Sequence, residues 1–253
     1  MTETRGRFRE TGVIHVWHGR VPDQVPSSDL AVLSEDELRV TSSRSGVRAA
    51  HYAGVHAAVR RVLGHQYLGV PAEAVRFGRH ACPRCADPAH GRPRIEQPVT
   101  ALDFSLSRSG PYWLLAVTAG EQVGVDIERH TAGPVAETVL TEDELDRVRR
   151  AERPEERRHL FLRAWTRKEA VLKACGVGIV AELCALDTSP ADAGPVTVEY
   201  GEPGLAGRWH VQDLALAPGI VGALAQDAGR VRLVVSRQVP DSAWHVASLV
   251  GTC

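Results

Sequence analysis

The chain has 253 residues, 43% of them hydrophobic and 24% charged, enough to bury one large or two small cores. Its formal net charge is −1, so no global basic field points to nucleic acid, and any anion binding must be local. No stretch approaches the ~20 apolar residues of a membrane span and the N-terminus lacks a signal-like apolar run, so a cytoplasmic protein with no membrane partner is expected.

In chain order, the first clear signal is Leu33-Ser34-Glu35-Asp36-Glu37-Leu38, where Ser34 as N-cap and Glu37 three residues later make a capping box. A helical stretch follows from Val47 to Gly64, with Val55, Val59, Val62 and Leu63 as its apolar members. Arg39, Arg44, Arg48, His51, His56 and Arg60 lie on or just before it, and such residues ordinarily solvate a helix face. The five cysteines are an odd number without framework spacing, which fits reduced thiols. Cys82-Pro-Arg-Cys85, between His80 and His90, has the donor types of a zinc knuckle but no second cysteine pair. Arg79 to Gly91 therefore reads as a loop insertion, and zinc bound there would be structural.

Val123-Gly-Val-Asp126-Ile127-Glu128 reads as a strand that places both carboxylates on one face and Val125 and Ile127 on the other. An edge strand facing solvent would accommodate the pair. A buried pair needs a cation, and oxygen ligands without a surrounding set of His and Cys favour Mg²⁺ or Mn²⁺ over zinc. A second capping box, Leu140-Thr141-Glu142-Asp143-Glu144-Leu145, repeats the first 107 residues on. The stretch it opens, Thr141 to Arg158, is dense in both charges and reads as a solvated helix and loop broken at Pro154. A helix from His159 to Gly176 comes next, with Glu169 on the apolar stripe of Leu162, Trp165 and Leu172. Glu169 alone would be an ordinary partner of Lys173 one turn on. With Asp126 and Glu128 to meet it, Glu169 reads better as a third oxygen ligand, with Lys168 and Lys173 beside the metal to hold phosphate.

A further echo pairs Ala116-Val-Thr-Ala119-Gly120 with Ala225-Gln-Asp-Ala228-Gly229. The repeats predict an α+β protein of two similar halves, residues 1–120 and 121–253, with its ligand site at their interface. Val231 to Ser236 reads as a strand, and the tail after Val239 is expected to pack on the second half.

Val-Gly-Val-Asp126-Ile-Glu128, followed by Trp165-Thr-Arg-Lys168-Glu169-Ala-Val-Leu-Lys173, resembles the paired signature of the Sfp-type 4′-phosphopantetheinyl transferases. Gly91-Arg92-Pro93 is similar to the family's Gly-Lys-Pro, and Ser107-Arg108-Ser109 to its Ser-His-Ser, so the match runs from about residue 35 to about 225. The resemblance implies two pseudo-symmetric α/β halves and Mg²⁺-dependent transfer of the phosphopantetheine arm of coenzyme A to a serine of an acyl or peptidyl carrier protein. It implies a metal on Asp126, Glu128 and Glu169, with Glu169 as base and Lys173 stabilising charge. It also implies that Arg44, Arg48, His51, Arg92, Pro93, Ser107, Arg108, Asp126, Lys168 and Lys173 contact coenzyme A. Arg108 replaces the family's histidine and Arg92 its lysine, changes that keep charge but alter geometry at the donor. A monomer would suffice, since both halves lie in one chain. The alternatives are a relative that binds coenzyme A or a carrier protein without catalysis, and a zinc-dependent nucleic-acid module, which the near-neutral charge opposes.

Overall fold

The computed structural model describes residues 12–87, 90–131, 136–177, 183–201 and 207–240. Strand β1 (Ile14–Arg20) leads through α1 (Ser27–Leu30) to α2 (Glu35–Ser42) and α3 (Val47–Arg61). The first capping box forms at α2, where Ser34 Oγ accepts from Glu37 N–H at 3.3 Å and Glu37 Oε2 accepts from Ser34 N–H at 2.8 Å. The helix after it does not stop at Gly64 as expected. It loosens into π winding over Val62–Leu68 and ends on Gly69 in the left-handed conformation. Gly64 instead admits a neighbouring backbone, since a Cβ there would stand 2.8 Å from Val70 O.

A small hairpin, β2 (Arg76–Arg79) and β3 (Pro93–Gln97), carries the loop read as an insertion; β4 (Leu102–Ser109), β5 (Tyr112–Ala119) and β6 (Val123–Arg129) follow. The second capping box opens α4 (Glu142–Arg150), with Thr141 Oγ1 and Glu144 N 3.2 Å apart. Pro154, in the first turn where a proline loses no helical hydrogen bond, starts α5 (Pro154–Cys175). This helix ends on Gly176 at φ +80°. Strands β7 (Val196–Tyr200), β8 (Gly207–Asp213), β9 (Ile220–Asp227) and β10 (Val234–Gln238) complete the chain. Among the described residues no helix is long and apolar enough to cross a membrane.

The two main sheets have the orders β10-β1-β5-β4 and β6-β9-β8-β7. In both, the opening strand pairs with the later of two hairpin-linked strands, which pairs with the earlier one: β1-β5-β4 repeats as β6-β9-β8. This mixed α+β architecture departs from a clean division of the chain at its C-terminal end. β10 returns to pair in parallel with β1, from Ile14↔Val234 onward, and Val239 donates its N–H to His18 O and joins the core around Trp17. The tail expected on the second half therefore begins on the first, because β1 leaves its outer edge open to a partner; residues 241–253 lie outside the described residues.

Where the sheets meet, alternate serines of β4 stitch it to β6. Ser105 Oγ accepts from Val125 N–H at 3.1 Å, Ser107 Oγ donates to Asp126 Oδ1 at 2.7 Å, and Ser109 Oγ donates to Glu128 Oε2 at 2.7 Å. Val125 and Ile127 pack with Val16, Leu114, Ala116 and Leu224 in a core shared by both sheets. The residues of opposite parity, Gly124, Asp126 and Glu128, lie on the side of α5. A Cβ on Gly124 would stand 1.8 Å from Ala170 O, so helix backbone rests directly on strand backbone. That close approach brings Glu169 and Lys173 to the carboxylates of β6.

Candidate active site

Asp126 and Glu169 are buried, at 4% and 6% exposure, and Glu128 is half-buried. Asp126 Oδ1 accepts from Lys173 Nζ at 2.6 Å and from Ser107 Oγ, which itself accepts from Lys173 at 2.9 Å. The other oxygen of Asp126 and Oε1 of Glu169 are buried without a hydrogen-bond partner. Burial, then repulsion from Asp126, pushes the Glu169 carboxyl up to about 7, against a smaller opposing pull from Lys173. Glu128 is also raised, chiefly by burial and further by Asp126, against the lowering effect of its hydrogen bond from Ser109. Orphaned buried carboxylate oxygens are costly, and a hard cation is the partner that would satisfy them. Among the described residues no three His, Cys, Asp or Glu side chains already converge on one metal position. Mg²⁺ typically uses one or two carboxylates and takes further oxygens from substrate phosphates, so an incomplete protein set fits its chemistry.

Lys173 also lines a cleft of about 680 Å³ between the end of α5 and the elements from α2 to β4. Its walls include His56, Arg60, Arg76, Arg79, Arg92 and Gly176. The size suits a nucleotide-like ligand, and Arg60, Arg76, Arg79, Arg92 and Lys173 outnumber the acids Asp36 and Glu37 on its wall, although Glu37 pairs with Arg60 and His56. Beside α3, Arg44 and Arg108 stand over the same Tyr52 ring, their Cζ atoms 4.9 and 5.3 Å from its centroid. Two guanidiniums held together by one ring repel each other, and an anion between them would relieve that.

A family model described as the 4′-phosphopantetheinyl transferase superfamily matches residues 122–233, the stretch that carries all three carboxylates and Lys173. The 4′-phosphopantetheinyl transferase HetI of Nostoc sp. is 31% identical over 192 residues, which is 70% of this chain and 76% of HetI. The chain belongs to the 4′-phosphopantetheinyl transferase superfamily. It is accordingly a transferase that moves phosphopantetheine from coenzyme A to carrier proteins, in a superfamily that generally works with a divalent metal. More distant similarity links it to the L-aminoadipate-semialdehyde dehydrogenase-phosphopantetheinyl transferases of Xenopus laevis (32% over 110 residues) and Homo sapiens (27% over 156 residues). These matches cover 40% and 56% of the chain and only 35% and 47% of the relatives.

Not every residue expected at the site of this transferase lies there. Lys168 is fully buried, bonded to Glu144 Oε2 at 2.5 Å, Val139 O at 2.9 Å and Leu183 O at 2.8 Å. With its ammonium held by three oxygens it has nothing left for a phosphate, and its role is to tie α5 to α4 and to the segment at Leu183. His51 is engaged by Asp23 at 2.8 Å and does not line the cleft. Arg92 lines the cleft while pairing with Asp103, and Pro93 lies beside it. Ser107 contacts the carboxylate end, whereas its neighbour Arg108 lies with Arg44 and Tyr52, as strand alternation requires. Arg48 is exposed near the start of α3. Sequence reading passed over Arg76 and Tyr52 and took Arg79 only as the start of a loop, since nothing local marks these residues as facing a ligand.

Proposed function

We propose that this transferase uses Mg²⁺, or Mn²⁺ in its place, held by Asp126, Glu128 and Glu169. The acceptor is a serine of an acyl or peptidyl carrier protein, and 3′,5′-adenosine bisphosphate is released. The observation that carries this reading is the pair of buried, unpartnered oxygens on Asp126 and Glu169 beside Lys173, which itself reaches into the cationic cleft. When bound, the cation would supply positive charge to the pyrophosphate of coenzyme A.

The chain's own groups do the rest. Arg92, with Arg76 and Arg79 beyond the expected set, offers charge along the cleft for the donor's phosphates, and Arg44 and Arg108 offer a second anion position. Ser107 bonds both Asp126 and Lys173 and so fixes their relative position. Lys173 stabilises negative charge on the oxygens around the attacked phosphorus and on the leaving group. Glu169, directly or through a water, accepts the proton of the carrier serine as the new oxygen–phosphorus bond forms and the bond to the adenosine bisphosphate breaks. A single chain in the cytoplasm would suffice, since both halves contribute to one site. The helix and loop from Thr141 to Arg158, with Arg147, Arg149 and Arg150 in the last turn of α4, is the surface proposed to meet the acidic carrier.

The test is intact-mass spectrometry of several unmodified carrier proteins incubated with the enzyme, coenzyme A and Mg²⁺. A metal-dependent gain of one phosphopantetheine arm is expected on at least one carrier. No gain on any carrier, with coenzyme A still bound in a titration, would overturn the reading in favour of a relative that only binds.

A further inference from the structure

The loop between β2 and β3 gathers two cysteines and two histidines within eleven residues, and of these only His90 also lines the cleft. We propose that this loop binds one structural zinc ion through Cys82, Cys85 and His90, with His80 as the fourth donor.

Four features of its geometry support the assignment. Cys82 is buried and opens a turn that carries Cys85 at its far end. The turn is closed by Ala86 N–H on Cys82 O at 2.8 Å, with Ala86 in the left-handed conformation at φ 57°. Turning to the histidine, Cys85 Sγ and His90 Nδ1 are 3.4 Å apart. Zinc–sulfur and zinc–nitrogen bonds of ~2.3 and ~2.05 Å at a tetrahedral angle set a ligand–ligand edge of ~3.5 Å. The opposite ring nitrogen of His90 faces Asp87 Oδ2 at 3.6 Å, so one nitrogen points to the thiol and the other to a carboxylate. That is the carboxylate–histidine arrangement that orients metal-bound imidazoles.

The fourth feature is the closure of the hairpin. His80 N–H donates to Arg92 O at 2.9 Å, Arg79 Nη1 donates to Gly91 O at 2.9 Å, and a Cβ on Gly91 would stand 1.6 Å from His80 O. These contacts bring the two ends of the loop together, with the backbone of His80 against Gly91, the neighbour of His90. As the side chains stand, no three donors among the described residues surround a common point; the Cys85–His90 edge is set, and rotation of exposed side chains must complete the set. Binding would release the two thiol protons to solvent. A two-stranded hairpin is marginal alone, and a metal clip would brace it. Because β3 begins with Pro93 directly after Arg92, the clip would also fix one wall of the cleft, a consequence that rests on the reading of the cleft and not on zinc content.

The decisive experiment is elemental analysis of the full-length protein, expressed with added zinc and dialysed into metal-free buffer, alongside C85S, H90A and H80A. Wild type should retain about one zinc per chain. Each variant should lose zinc to a chelator at least ~10-fold more readily, since even loss of an outer partner costs that much. Cys85 is exposed, so C85S should keep its circular dichroism spectrum, and C184S, another exposed cysteine, should retain zinc fully. Cobalt substitution should give thiolate charge-transfer bands that C85S lacks. Wild type without zinc, zinc retained equally by C85S, or an intact mass lower by two hydrogens from a Cys82–Cys85 disulfide would each overturn the assignment. None of these readouts depends on transferase activity.

Discussion

Lys173 and Asp126 form a 2.6 Å ion pair in which only one carboxylate oxygen is used; the other is buried and has no partner. Lys173 is also the only one of the two neighbouring helix lysines that reaches the cleft. Replacing it by methionine keeps most of the stem and removes the charge. Turnover on the carrier should fall ~10²- to 10³-fold, the cost of losing one preorganised charge-stabilising donor, and the unfolding midpoint should fall as well, because buried Asp126 loses its cation and keeps Ser107 as its donor. Steady-state kinetics and denaturant melts on one preparation test both halves of this expectation, and near wild-type turnover would remove Lys173 from the mechanism.

The Glu169 carboxyl, pushed to about 7 from an ordinary 4.5, makes stability depend on pH with a definite sign. Between those values the folded state holds a proton that the unfolded state has released, so stability falls as pH rises and the full penalty is present above about 7. A shift of this size corresponds to at most about 3 kcal/mol. Metal-free protein should therefore melt at lower temperature at pH 8 than at pH 5, and Glu169→Gln should flatten the difference. Added Mg²⁺, which favours the ionised form, should restore stability mainly at the high end. A wild-type profile that matches Glu169→Gln would show that the carboxyl is not buried as described.

Much of this site was legible from residue order alone. Gly124, Asp126 and Glu128 share a strand face by period two, and the two capping boxes announced both helix starts because each uses only groups three residues apart. The direction of Lys168 was also readable in principle. It lies five residues from Lys173, a rotation of ~140° around a helix of 3.6 residues per turn, so the two cannot face the same metal. The β10–β1 pairing was not readable, since parallel strands more than two hundred residues apart leave no local signal. Nor was the π winding after Arg61, where packing of Gly64 against Val70 overrides the usual meaning of a glycine near a helix end.

The pairing of Arg44 and Arg108 across Tyr52 predicts a donor preference. If this position takes the 3′-phosphate of coenzyme A, Arg108→Ala should lower kcat/KM for coenzyme A by about tenfold or more, in line with a charge-assisted contact of ~1.5–3 kcal/mol. Dephospho-coenzyme A, which lacks that phosphate, should be used about equally by wild type and variant. Equal losses with both donors would move the anion position elsewhere. Arg108→His, restoring the residue type of the resembled family, should recover part of the loss below pH 6.5 and less above it, because imidazole loses its charge there.

Lys168 supplies the complementary test, since its chemistry is that of a phosphate ligand and its surroundings are those of a structural lysine. Its ammonium faces Glu144 Oε2, itself fully buried, while Glu144 Oε1 accepts from the N–H and the hydroxyl of Thr188 at 2.9 and 2.7 Å. Lys168→Ala would leave that carboxylate buried and uncompensated, a loss of ~3–5 kcal/mol. The variant should unfold at markedly lower denaturant concentration, yet the fraction that remains folded should keep the wild-type KM for coenzyme A. Lys173→Met should instead lose turnover in the fraction that remains folded. A Lys168→Ala enzyme of normal stability with a raised KM for coenzyme A would return this lysine to the donor site, and would require α5 to turn away from Glu144.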